Sequence, residues 1–184
     1  MENPKEEPMA TEIGIKEKND ATLLYREVQQ FRQFWIWLVL LVSSVSCLGA
    51  AVMPFFLKES GENVILNIIL IVFGVIYGIF LPAVVYVTKL TTEVRTDGLY
   101  LSFYPILFYQ IKIPYENVVK CDVKKYYPLR DYGGWGVRYG PKGKAYNVSG
   151  DRGVQLELAN GERILIGSGN PEQLATAIGF YVRK

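Results

Sequence analysis

The residues best equipped for chemistry lie between Lys124 and Arg152. There Lys124, Lys125, Arg130, Arg138, Lys142, Lys144 and Arg152 face only Asp131 and Asp151, with Tyr126, Tyr127, Tyr132, Trp135, Tyr139 and Tyr146 interleaved. Lysine and arginine beside an anionic leaflet contribute about 1 kcal/mol each, and aromatic rings favour the headgroup interface. Lys124, Lys125, Arg130, Trp135, Arg138, Lys142, Lys144 and Arg152 are therefore the candidate contacts to anionic lipid headgroups. A second reading has these charges pairing locally on a soluble loop, as Arg130 with Asp131. On that reading Trp135 is an inward-facing anchor, and Gly133, Gly134 and Gly136 serve a bulge or strained turn.

The same stretch lacks the parts of an active site. The chain has no histidine, which removes the commonest general base and the commonest metal ligand. Asp131 and Asp151 have no evident partner base, and Ser149-Gly150-Asp151 has no nucleophile context. The glycines from Gly133 to Gly143 do not make a GxxxxGK[ST] phosphate loop. Neither catalysis nor a metal or cofactor is expected. Basic and aromatic residues together also suit single-stranded nucleic acid, but two apolar stretches make lipid the nearer anionic partner. Cys47 falls inside the first of these and Cys121 in an expected strand, so no disulfide between them is expected.

Those stretches must position everything else. Phe34 to Phe56 and Val64 to Val87 contain no Asp, Glu, Lys or Arg, and each exceeds the ~20 apolar residues that cross a hydrocarbon core as a helix. The 184-residue chain leaves too little sequence to wrap two such helices as a soluble core. Only Lys58 to Asn63 separates them, so residues 34–88 are expected to form an antiparallel transmembrane hairpin. Lys16, Lys18, Arg26 and Arg32 precede it and Lys89 and Arg95 follow it, against Lys58 alone in the turn. This excess predicts a multi-pass protein of the cell membrane with both termini cytoplasmic. Gly74 and Gly78 give the second span a small-residue face for helix packing, within the hairpin or between copies.

The flanks differ in character. Residues 1–33 read as a cytoplasmic segment, disordered to about residue 20. Then Leu24, Val28, Phe31 and Trp35, at helical spacing, predict an amphipathic helix over 21–33. Residues 89–184 carry 14 Lys and Arg against 9 Asp and Glu and read as a β-rich domain. Strands are expected at 91–96, 99–103, 106–113, 118–125, 154–158 and 163–166, with turns at Asp97-Gly98 and Asn160-Gly161. Pro171 to Val182 reads as a helix with Leu174, Ala177, Ile178 and Tyr181 on one face. Residues 126–153 are expected to be a long loop.

This order of strands and a C-terminal helix, with Asp97-Gly98-Leu99-Tyr100, Ile113 to Val118, Arg130 to Gly136 and Asn147 to Val154, resembles the prokaryotic pleckstrin-homology-like (PH-like) domains attached to paired transmembrane helices. Several antiparallel strands closed by one amphipathic helix make a partly open β-barrel or sandwich, an all-β or α+β domain beside the helical hairpin, and the resemblance implies the PH-like partly open barrel with its C-terminal helix. It implies no particular ligand, because PH-like domains bind lipids, bind proteins or assemble with one another. Two functions follow as expectations: a membrane-anchored module that binds anionic headgroups, or a scaffold using its β domain for protein partners or homo-oligomers.

Overall fold

A computed structural model describes residues 21–56 and 64–182. The disorder expected up to residue 20 and the turn at Lys58–Asn63 lie outside those residues. The apolar stretches form helices. α1 is Phe34–Phe56; the second helix is α2 (Val64–Val75), a π-helical turn (Ile76–Phe80) and α3 (Leu81–Val87). Both are long and apolar enough to cross a membrane. The wide turn precedes Pro82, which cannot donate a backbone hydrogen bond; the Leu81 amide reaches back to Ile76 O. Gly74 and Gly78 face α1. A Cβ at Gly74 would lie 2.7 Å from Ala51 Cβ, and one at Gly78 2.7 Å from Leu48 Cγ.

The segment before α1 departs from expectation. Residues 23–30 are a strand, β1 (Leu23–Gln30), where an amphipathic helix was expected. β1 pairs antiparallel with β2 (Lys89–Arg95), from Leu23 opposite Arg95 to Gln30 opposite Lys89. Alternation with period two governs its burial: Tyr25, Glu27 and Gln29 turn inward, while Leu24 and Val28 face out. A ladder to residues 59 to 72 positions away thus overrides the local helical spacing. The inward side chains dock on the chain before the C-terminal helix. Glu27 accepts from Ser168 Oγ at 2.6 Å and Gly169 N at 2.7 Å, and Gln29 Nε2 donates to Gly167 O at 2.7 Å. The β domain therefore begins before the apolar hairpin, which is an insertion between two adjacent strands.

The described residues form two sheets that do not close into a barrel. The first runs β1-β2-β3-β4, with β3 at Gly98–Tyr104 and β4 at Ile111–Ile113. The second runs β5-β8-β9-β7-β6: β5 (Val118–Lys125), β6 (Gly136–Gly140), β7 (Gly143–Asn147), β8 (Arg152–Leu158) and β9 (Arg163–Gly167). Leu90, Val94, Leu99 and Phe103 of the first sheet share one core with Val154, Leu156 and Ile166 of the second. Leu174 and Ile178, one turn apart on α5 (Pro171–Val182), complete it.

Two further expectations are corrected. Of the strand expected at 106–113 only Ile111–Ile113 pairs, opposite Leu101 to Leu99. Residues 105–110 make a turn instead, with the Leu107 amide on Phe103 O at 2.7 Å. The expected loop at 126–153 contains a short helix, α4 (Pro128–Tyr132), and the β6–β7 hairpin. These strands are poor in β-branched residues, which hid them, and their glycines answer to packing. A Cβ at Gly140 would sit 2.4 Å from Asp131 O, and one at Gly143 2.3 Å from Arg163 O.

Candidate functional site

The eight predicted headgroup contacts do not share one face; they fall into three places. Lys124, Lys125 and Arg152 lie at neighbouring ends of β5 and β8, where Lys125 stands opposite Arg152. The like charges are offset by carboxylates: Lys125 Nζ is 3.2 Å from Asp151, and Arg152 pairs with Glu172 at the start of α5. Lys124 is exposed and has no ion pair among the described residues.

Arg130, Lys142 and Lys144 gather at the closed end of the β6–β7 hairpin. Asp131, almost wholly buried, accepts from Lys142 Nζ at 2.9 Å, from the Tyr127 amide at 3.1 Å and from Arg130 Nε at 3.3 Å. Lys142, then the Tyr127 amide, hold its carboxyl down at about 2. The Arg130 guanidinium lies 4.1 Å above the Tyr127 ring, and Lys144 lies about 5 Å from the rings of Tyr139 and Tyr146. Lys142 and Lys144 line a cleft of about 740 Å³ with Lys112 and Arg163. Three of those four cations are already engaged: Lys112 with Asp97 at 2.6 Å, Lys142 with Asp131, and Arg163 with Glu157 at 3.3 Å. Local pairing thus describes most of the set.

Trp135 and Arg138 sit elsewhere, at the open end of the same hairpin. Gly134 and Gly136 adopt φ of +128° and +115°, a region L side chains rarely enter, and they swing Trp135 off β6 toward α1. Its ring meets that of Trp35, the second residue of α1, with centroids 5.4 Å apart. Trp135 is thus neither buried between the sheets nor free; it packs on the first turn of α1. Beside it Gln33 Nε2 donates to Val148 O at 2.7 Å. Arg138 Nε donates to Trp135 O at 2.9 Å, which keeps its exposed guanidinium at the contact.

Two more exposed cations stand at this helix-proximal end, Arg32 two residues before α1 and Lys89 two residues after α3. Like Arg138, neither has an ion pair among the described residues, although Arg32 donates to Gln30 Oε1 at 2.7 Å. Trp37 and Tyr86 meet edge to face at 6.1 Å one turn further along the helices. In the sequence Arg32 and Lys89 stand out only as charges flanking the apolar stretches. Their kinship with Arg138 depends on the β6–β7 fold, and no local pattern announces it. Opposite in character, the Cys121 thiol is pushed up to about 11 by burial against α5, which leaves it a poor nucleophile.

The chain belongs to a family of unknown function (DUF6141), which matches residues 16–183. No curated protein matches it.

Proposed function

We propose that this member of the DUF6141 family is a membrane-anchored, PH-like module that contacts anionic lipid headgroups at the cytoplasmic surface of its own bilayer. The contact is made by the helix-proximal end of the β domain. Arg138, Arg32 and Lys89 carry it; in the wider basic set Lys125, Arg130, Lys142 and Arg152 are paired with carboxylates. The observation that supports this most is the packing of Trp135 on Trp35 with Arg138 bound to the Trp135 carbonyl. It brings a cation of the β domain level with the first turn of an apolar helix, where phosphates lie if that helix spans a membrane. Two chain connections, at Gln30 and Lys89, hold the domain there and raise the effective concentration of these cations at the surface.

Nanodiscs containing the full chain and spin-labelled lipids provide the test. The protein is expected to immobilise labelled phosphatidylglycerol in preference to labelled phosphatidylcholine. Each of Arg32→Gln, Lys89→Gln and Arg138→Gln should weaken that preference by up to about 1 kcal/mol, roughly fivefold. Lys142→Gln with Lys144→Gln should leave it unchanged. Equal immobilisation of both lipids by the unaltered chain overturns the proposal.

A second reading, a scaffold with a protein partner, is favoured by one observation. β5 is an eight-residue edge strand whose outer side borders α5 across a groove lined by Val119, Val123 and Thr176, a surface open to strand addition. Gly74 and Gly78 add nothing to it, because α1 occupies their face. Cross-linking from Val119→Cys in membranes, without a product of higher mass, would count against it.

A further inference from the structure

The turn between β3 and β4 has no role in either reading. Its sequence, Tyr104-Pro105-Ile106-Leu107-Phe108-Tyr109-Gln110, is free of charge. Tyr104 is 48% exposed, Ile106 51%, Phe108 86% and Tyr109 64%. Leu107 alone turns inward against the core, its amide on Phe103 O, so its neighbours on both sides are held outward. Other exposed large side chains of the β domain are more widely spaced, such as Leu129 and Tyr139, or line the groove beside α5, as Val119 and Val123 do. Four within six residues form a patch that asks for a cover.

Register says which cover. Tyr104 is directly opposite Lys89, and Lys89 follows Thr88, which caps α3. β3 runs toward the helices, so the turn lies at the level where the chain leaves the apolar hairpin, one strand spacing (~4.8 Å) to the side. Tyr104 and Phe108, rings edge to face at 6.4 Å, continue the aromatic level of Trp35, Trp37 and Tyr86. We infer that residues 104–109 are a third membrane contact, with Ile106 and Phe108 immersed at the headgroup–acyl boundary and Tyr104 and Tyr109 at the headgroups. Amphipathic aromatic rings favour that depth. With the two helix connections this contact gives the β domain three points of support, which fixes its tilt on the bilayer. The inference rests on the membrane reading of the helices, but not on the preference for anionic lipid.

Site-directed spin labelling of the full chain in nanodiscs of phosphatidylcholine and phosphatidylglycerol tests it, after Cys47→Ala and Cys121→Ser remove the two native thiols. Labels are placed one at a time at Phe108→Cys, at Tyr109→Cys as a neighbouring check, at Val72→Cys on α2, and at Glu162→Cys in the turn before β9. Accessibility to dissolved oxygen and to a water-soluble nickel chelate is read for each. The expected result is an oxygen-to-nickel ratio at Phe108 several-fold above that at Glu162 and below that at Val72. A ratio at Phe108 equal to that at Glu162, with Val72 lipid-like, overturns this inference and leaves the proposed function standing. Protection of Phe108 from both reagents also overturns it, because protein then covers the patch. Water-like ratios at all positions overturn the membrane reading as well.

Discussion

The two ends of the β domain differ in how many of their cations are already partnered. At the end remote from the helices, charges meet charges: Lys112 with Asp97, Lys142 and Arg130 with Asp131, Arg95 and Arg26 with Glu93. At the helix-proximal end Lys125 and Arg152 still find Asp151 and Glu172, but Arg32, Lys89 and Arg138 have no carboxylate among the described residues, and aromatic rings stand exposed beside them. Gly136 and Gly140 mark the two ends of one strand, four residues and so ~13 Å apart. Net positive charge is thus a poor guide to a binding surface. What distinguishes the surfaces is whether each cation already has a partner.

The largest effect expected from breaking this contrast comes from the insertion itself. Replacing residues 31–88 with an Asn-Gly turn joins Gln30 to Lys89 as an ordinary hairpin. It should yield a water-soluble domain that unfolds cooperatively by circular dichroism. A fragment of residues 89–184 lacks β1, leaves β2 as an unpaired edge and should fail to give a cooperative transition. Success of that fragment would remove the argument that the hairpin sits between paired strands.

Next comes the remote end. Gly143→Ala puts a Cβ against the Arg163 carbonyl and requires an L residue at φ +107°, so the joined domain should lose about 3 kcal/mol in urea unfolding. Gly133→Ala, with φ +73° but open space around it, should cost about 1 kcal/mol. Equal losses would mean that the close approach of β7 to β9 contributes nothing.

Asp131 sharpens the same end through pH. Its carboxyl lies near 2, below the ordinary 3.8, so its stabilisation is fully present above about 4 and is lost as pH falls toward 2. Asp131→Asn should lower the melting temperature at pH 7, and the gap to the unaltered domain should close between pH 4 and 2. A gap independent of pH would show that the ion pairs are not its source.

The smallest effect belongs to the helix-proximal end. A double-mutant cycle of Trp35→Ala and Trp135→Ala in the full chain should give a coupling of about 1 kcal/mol, read by thermal unfolding in nanodiscs. Additive losses would detach the β domain from the first turn of α1.

Legibility followed the range of the forces involved. β5 and α5 occupy the residues expected of them, Val118–Lys125 and Pro171–Val182, because alternation and a helical stripe are local patterns that tertiary contacts reinforced. β1 did not, since Leu24, Val28 and Phe31 keep helical spacing while a ladder to β2 supplies the hydrogen bonds. β6 and β7 were hidden by their scarcity of β-branched residues, and β7 joins its sheet parallel to β9, 20 residues downstream. The candidate site suffered most. Residue types marked the basic and aromatic set, but Arg152 finds Glu172 twenty positions away and Trp135 finds Trp35 a hundred positions away.

The sequence by itself determined the two apolar helices, because length without charge is a property of a segment alone. It determined the sign of the charge on the β domain for the same reason. Tertiary structure alone decided that the hairpin is inserted between paired strands, which cations are already neutralised, and which rings line up at the helix ends. Those are facts of register and distance, created when residues far apart in the chain compete for the same hydrogen bonds and the same buried space.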